Sequence, residues 1–329
     1  MSRPPTFPGL GELGGDLLNV SRSRRAGVLA RPLLMMATYG TFATLGWWIP
    51  AMLVLVALFP VMVAVIHDLL HRSLGLSAAA NRRWLSVLAV GVLQSGHAIQ
   101  ATHLEHHRRF PNQEDPEVYV AAMGLGRALL EGPIYPYRLW SWARHHRPAL
   151  LGRTAAEAAG HGALGLGSVA LLPVTAVPFM YAATMFVGCS LFPAISVNLL
   201  HRSTTEDPLA ATRTVRGVLL PLLTLGSGYH LEHHLYPRVP SPNYSRLARR
   251  LRPLLDGQGV RGFTLTPARS NGTPSGEDPP DSSPYRSTVR GSPPPPQRFG
   301  RPRQHSRLNR EPLRRRWCSW GQGEHRHDH

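Results

Sequence analysis

The chain has 329 residues and a formal net charge of +17, from 36 basic and 19 acidic residues besides 17 histidines, and every one of those basic residues is arginine. Its two cysteines, Cys189 in an apolar run and Cys318 in a polar tail, argue against a disulfide framework. No nucleic-acid-binding module gives the positive charge a shape, so no nucleic-acid partner is expected. Residues 1–31 read as a loose basic arm, in which Arg22, Arg24, Arg25 and Arg31 precede the first apolar run. The positive-inside rule puts those arginines in the cytoplasm. Leu33 to Ile66 is a run of 34 residues without a charge. A bilayer core needs about 20 apolar residues per helix, so the run predicts a hairpin of two helices turning near Pro50. It is too long for a cleaved signal peptide, whose apolar core is about 7–15 residues, and the segment is expected to stay attached.

Trp84 to Ala101 is apolar but broken by Gln94, Ser95, Gly96, His97 and Gln100, which suits a helix lying in the membrane interface. Residues 108–155 are polar, with many arginines and tryptophans, and read as cytoplasmic or interfacial. Gly162 to Leu200 is a second uncharged run, 39 residues long, with Pro173 to Pro178 as its turn. Val215 to Leu225 is a short apolar stretch. The last part is rich in Pro, Ser, Gly and Arg and lacks apolar periodicity, so it buries too little surface to offset its ordering entropy. The expected organisation is a basic cytoplasmic arm at 1–31, a membrane domain at 32–260 and a disordered tail at 261–329. The HRHDH at the end of that tail is a poor metal site, since nothing around it would fix the ligands.

The histidines stand just outside the apolar runs. His67 and His71 form HDLLH, His103, His106 and His107 form HLEHH, and His230, His233 and His234 form a second HLEHH; His201 follows Leu200. Histidines three and four apart on a helix share one face. Neutral imidazole is the commonest metal ligand and suits iron, zinc, copper and nickel. Nine imidazoles exceed what one tetrahedral zinc uses, whereas two metal ions with open positions account for them. Two hairpins put every cluster on one side of the membrane, the side that the arginines mark as cytoplasmic. No flavin or nicotinamide fingerprint and no cysteine set for an iron–sulfur cluster is present. Electrons therefore have to come from a separate donor, and the cytoplasmic arginines favour an acidic one.

HDLLH, HLEHH followed by RRFPNQEDPE, and YHLEHHLYPRVP resemble the membrane fatty acid desaturase and hydroxylase superfamily, which includes carotenoid hydroxylases and ketolases; the resemblance covers residues 33–255. It implies an all-α, multi-pass protein of the cytoplasmic membrane. About four transmembrane helices in two hairpins are expected, with interfacial helices beside them and both termini and the histidine boxes facing the cytoplasm. It also implies two iron ions held by His67, His71, His103, His106, His107, His201, His230, His233 and His234. Dioxygen would be the co-substrate, the electron donor a ferredoxin with its reductase, and the substrate a lipid or fatty acyl chain taken from the bilayer. Loss of a second hydrogen from such a chain gives a double bond and rebound of oxygen gives an alcohol, and the boxes do not distinguish the two. In the acyl-CoA branch an asparagine four residues before the isolated histidine acts through water. Here Asn198 stands three residues before His201 and is not counted as a ligand.

Ligating histidines usually donate their other N–H to a carboxylate or carbonyl. Asp68, Glu105, Glu232 and Asp115 are candidates for that role; otherwise they are solvent-facing carboxylates at helix ends. His97 reads as a hydrogen-bonded packing residue, His161 as an interfacial anchor, and His145 and His146, between Arg144 and Arg147, as surface. The leading expectation is a desaturase of acyl chains, with a carotenoid hydroxylase or ketolase as its nearest rival. A zinc-dependent membrane hydrolase fits nine imidazoles poorly, and a metal-binding or transport protein would place its ligands near the bilayer midplane.

Overall fold

Three serines start three of the helices, among them the one that carries the second histidine box. Ser21, Ser77 and Ser95 each accept, on Oγ, a backbone N–H from three residues on, at 3.2–3.3 Å. They open α2 (Arg22–Thr44), α4 (Ala78–Gly91) and α5 (Gly96–Arg109). The computed structural model describes residues 7–111, 114–201, 207–216, 228–260 and 263–264. Ahead of α2 lies α1 (Leu10–Leu13), and between α2 and α4 lies α3 (Trp48–Leu70). The chain turns from α2 into α3 at Gly46, whose φ of +78° suits a residue without a Cβ. Beyond α5 come α6 (Leu125–Glu131), α7 (Tyr135–His146), α8 (Leu151–Ala170) and α9 (Val177–Phe192). A π-helical turn, Pro193–Asn198, prolongs α9. Then follow α10 (Pro208–Ala211), β1 (Val215–Arg216), α11 (His230–Leu235), α12 (Tyr244–Gly257) and β2 (Phe263–Thr264). The two short strands pair in parallel, Val215 opposite Phe263. The described part is thus almost wholly helical, as expected.

The second apolar run breaks at residues 171–176, within its expected turn region, whereas the first breaks at 45–47, ahead of Pro50, which lies in the first turn of α3. Among the described residues two helical segments, Trp48–Leu70 and Val177–Asn198, are long and apolar enough to cross a membrane. The main core packs Leu55, Leu58, Met62 and Leu69 of α3 against Leu85 and Leu88 of α4 and Tyr181 and Met185 of α9. Tyr181 adds a hydrogen bond from its hydroxyl to the Gly91 carbonyl at 2.9 Å.

Three further features differ from the sequence expectations. Helix α8 begins at Leu151, ahead of the uncharged run, and so carries Arg153 and Glu157 within it. The segment expected to be loose is helical from Arg22. Before that, Phe7 and Leu17 pack against Leu231 of α11 and Leu247 and Leu251 of α12. Polar bonds fix the same contact: Tyr236 Oη donates to Pro8 O at 2.8 Å, Asn243 Nδ2 to Leu17 O at 2.9 Å, and Arg250 pairs with Asp16 at 2.7 Å. Of the stretch Val215 to Leu225, residues 217–225 lie outside the described residues, as do residues 1–6 and, apart from Phe263 and Thr264, the tail.

Gly132, after α6, lies where an added Cβ would stand 1.7 Å from the Ser190 carbonyl oxygen of α9. Backbone cannot swing aside as a side chain does. Replacing Gly132 with alanine is expected to destabilise the fold by about 1–3 kcal/mol, seen as a lower melting temperature of the purified protein. An unchanged melting temperature would contradict this close approach.

Candidate metal centre

The nine histidines, spread over 168 positions of sequence from His67 to His234, come together through one atom each, Nε2. His67 lies in the last turn of α3 and His71 caps it; His103, His106 and His107 lie on α5; His201 follows the π-helical turn; His230, His233 and His234 lie on α11. The ring nitrogens form two groups. In the first, Nε2 of His67 is 3.1 Å from that of His233, which is 2.8 Å from His107, which is 3.2 Å from His103, which is 3.1 Å from His71. In the second, His234 Nε2 is 3.4 Å from His106, 3.3 Å from His201 and 3.1 Å from His230, and His230 is 2.9 Å from His201.

Helix geometry explains the division. In each HLEHH the first and last histidines, four apart, send their nitrogens to one group, and the middle one sends its nitrogen to the other. Neighbouring helix positions diverge by about 100°, so adjacent histidines cannot serve one point. His103 and His107 join the first group and His106 the second; His230 and His234 join the second and His233 the first. Helices α5 and α11 therefore each serve both groups.

The outer nitrogens settle which protons are where. His103 Nδ1 donates to Glu117 at 3.2 Å, His106 Nδ1 to Asp115 at 2.5 Å and His201 Nδ1 to the Val197 carbonyl at 3.0 Å. A neutral imidazole has one N–H, so Nε2 of His103, His106 and His201 is a bare lone pair. His106 and His201 both aim that lone pair at His234, which has at most one proton there to offer. A hydrogen-bonded network is short of protons, while cations at the two centres satisfy every Nε2. The spacing fits as well. With metal–nitrogen bonds of about 2.1 Å, ligands at right angles stand about 3.0 Å apart. The donor set is neutral nitrogen almost throughout, which suits a divalent transition metal rather than calcium or magnesium.

Of the four carboxylates singled out by sequence, Asp115 touches a histidine, and its other oxygen accepts the Glu117 and Val118 N–H groups at 2.8 and 3.3 Å. The other three are buried, so the solvent-facing alternative does not hold for them either. Asp68 accepts from Ser241 N at 2.8 Å and Ser241 Oγ at 2.6 Å, tying α3 to the loop before α12. Glu105 pairs with Arg108, Arg109 and Arg147, and Glu232 accepts from Thr214 Oγ1 at 2.6 Å. Two further partners of the histidines escaped the sequence reading. Glu117 stands two residues past Asp115 in EDPE, a nearness that would have drawn attention to it. Tyr244, whose hydroxyl lies 2.8 Å from His233 Nδ1, gave no signal. Asn198 donates to the carbonyls of Val120 and Met123 at 2.8 and 2.7 Å, holding the π-helical turn that leads to His201. His161, expected to be an interfacial anchor, bonds the Gln94 carbonyl through Nε2 at 2.7 Å. His145 and His146 are exposed, as expected.

Burial, aided by the like charge of neighbouring imidazoles, pushes His107, His230, His233 and His234 well below the usual histidine range. They stay neutral, the form that binds metal. At His106 burial acts in the same direction, but the Asp115 carboxylate outweighs it and raises the value. Below the ordinary value of 6.5 the unfolded chain therefore takes up protons that the four folded imidazoles refuse. His106 works the other way, stabilising the fold at low pH and losing that effect as pH rises through its folded value. Burial lowers His71 and His201 in the same way, so with six imidazoles against one the metal-free protein is expected to melt at a lower temperature at about pH 5 than at about pH 7. A melting temperature that rises on acidification would contradict these burial effects.

No curated protein matches the chain. The family model for fatty acid desaturases matches residues 45–265, which takes in the second helix of the first hairpin, all nine histidines and α12. On that match, which covers well over half of its length, the chain belongs to the fatty acid desaturase family.

Proposed function

We propose that the protein is a membrane-embedded, dioxygen-dependent di-iron oxidoreductase that desaturates the acyl chains of fatty acids or lipids. The observation that carries this reading is the pair of Nε2 groups, whose lone pairs converge with too few protons to satisfy one another. His67, His71, His103, His107 and His233 would hold one iron, and His106, His201, His230 and His234 the other. When bound, the two irons supply dioxygen activation and the electron transfer needed to break unactivated C–H bonds. The chain's own residues do the rest. Asp115 and Glu117 keep His106 and His103 in the tautomer that presents a free Nε2, and the Val197 carbonyl does so for His201. Tyr244 fixes the ring plane of His233. Phe110, 5.1 Å from the rings of both His201 and His234, packs an apolar side chain against the second group and keeps water from it.

On this reading α2, α3, α8 and α9 cross the cytoplasmic membrane as two hairpins. Leu53 and Val56 of α3 and Phe186 and Val187 of α9, all exposed, would face lipid. The division into a cytoplasmic arm at 1–31, a catalytic domain at 32–260 and a disordered tail at 261–329 belongs to the same proposal. Electrons would come from a ferredoxin and its reductase. Arg72, Arg108 and Arg238, exposed beside or just beyond the three boxes, support an acidic donor, whose attraction weakens with salt.

The test is expression in a host of known lipid profile, with lipids and pigments compared by mass spectrometry and iron measured on the purified protein. New double bonds in acyl chains are expected, and they should vanish in His106→Ala and His233→Ala, which also lose bound iron. Oxygenated carotenoids in a carotene-producing host would overturn the acyl assignment in favour of a carotenoid hydroxylase or ketolase. Bound zinc in place of iron would overturn the oxidoreductase reading. Asp115→Asn is expected to weaken metal binding about 10- to 100-fold, read by competition with a chelator; equal affinity would remove Asp115 from the centre. Truncation after Arg261 is expected to leave activity largely unchanged.

A further inference from the structure

Glu157 of α8 is 4% exposed and belongs to no part of the metal centre. Its carboxylate accepts four hydrogen bonds: from Ser86 Oγ at 2.7 Å, Ser95 Oγ at 2.6 Å, the His97 backbone N–H at 3.3 Å and His97 Nδ1 at 2.7 Å. The donors come from α4, from the cap of α5 and from the first turn of α5. A buried carboxylate is costly unless so paired, and an ionisable residue on a helix entering a bilayer calls for a functional explanation.

The explanation lies on the far side of α5. His97 precedes His103 by six residues, about 9 Å along the axis at 1.5 Å per residue. At about 100° per residue, His106 points directly away from His97, and His103 and His107 lie about 120° and 80° round from it. Glu157 thus grips the back of the first turn of α5, while the front of the last turns carries three imidazoles. The far end of α5 is gripped by Asp115 and Glu117, through His106 and His103. A helix held at one end still pivots; held at both, its rotation and depth are fixed. The same face of α8 reinforces the hold, since His161, one turn on from Glu157, bonds the Gln94 carbonyl just before α5. Gly160 of the same helix lies against α4, where an added Cβ would stand 3.1 Å from the Val90 side chain.

We propose that Glu157, acting through His97 and Ser95, is a positioning residue that sets the rotation and depth of α5, and so the place at which His103, His106 and His107 present Nε2 to the two groups. This rests on the two-metal reading above. Because α5 serves both groups, disturbing Glu157 alters both together, although it touches neither.

The experiment uses the full chain in lipid nanodiscs, loaded with isotopically enriched iron, as wild type, Glu157→Ala, Glu157→Gln, Glu157→Asp and the remote control Tyr39→Phe. Tyr39 bonds the Val177 carbonyl at 2.7 Å, away from α5. Iron per chain, the Mössbauer spectrum, melting temperature, kcat and KM are measured. Glu157→Ala and Glu157→Gln are expected to shift the spectra of both irons and to lower kcat about tenfold or more with little change in KM. Glu157→Asp, which keeps the carboxylate, is expected to recover part of both. Tyr39→Phe should lower melting temperature alone. Glu157 variants that also lose only melting temperature, with spectrum and kcat of the wild type, would overturn the proposal and leave the two-metal reading standing. If Glu157→Ala fails to insert, Glu157→Gln and Glu157→Asp decide by the same readings. A wild-type protein that binds no iron overturns both.

Discussion

The structure depends on an electrostatic deficit. Nine imidazoles are turned so that their Nε2 atoms face one another about 3 Å apart, while at least three of the rings have committed their only proton to an outward partner. Lone pairs so arranged repel, and the fold keeps them together by burial and by the bonds of Asp115, Glu117, Val197 and Tyr244. Much of the surrounding architecture follows from that requirement. The helices bearing the boxes are tied at their ends by buried carboxylates, Asp68 to the loop before α12, Glu105 to three arginines and Glu232 to Thr214. Each of these bonds replaces hydration that a carboxylate would otherwise demand.

The division of each HLEHH between two groups is the second constraint. One helix bearing three imidazoles cannot aim all of them at one point, and the protein uses the divergence instead of suppressing it. Helices α5 and α11 become cross-braces, each contributing two nitrogens to one group and one to the other. The two groups are therefore not independent pockets: His107 of the first and His234 of the second have ring centroids 4.5 Å apart. The single histidine after the π-helical turn, His201, completes the second group, with Asn198 pinning that turn to the carbonyls of Val120 and Met123.

The parts of this design governed by local rules were legible in the sequence. The boxes were visible because ligands on a helix have to repeat at three and four residues, and the hairpin turns because long uncharged runs need a break. Asp115 was found, and Glu117 could have been, because both follow the second box closely. What was not legible depended on distant segments meeting. Tyr244 reaches His233 only because α12 folds back over α11, and the docking of residues 7–19 on that pair has no local signature. Asp68 and Glu105 were drawn toward the histidines by their nearness in sequence, but they bond serines and arginines. Helix α8 begins well before its uncharged run, because the polar residues that hydropathy counts against it, Glu157 among them, are the ones that dock it.

The docking of the early segment on the late one bears on how the protein is made. Pro8, Asp16 and Leu17 leave the ribosome first, yet their partners Tyr236, Asn243, Leu247 and Arg250 are among the last residues of the described helices to be synthesised. Leu231 and Leu235 of the third box pack against both. During translation neither group has its full set of nitrogens until α11 is made. Metal captured before then would be held by part of a site. Assembly of both groups therefore waits for α11 and α12, and the docking of residues 7–19 beside them completes the surface on which the third box rests.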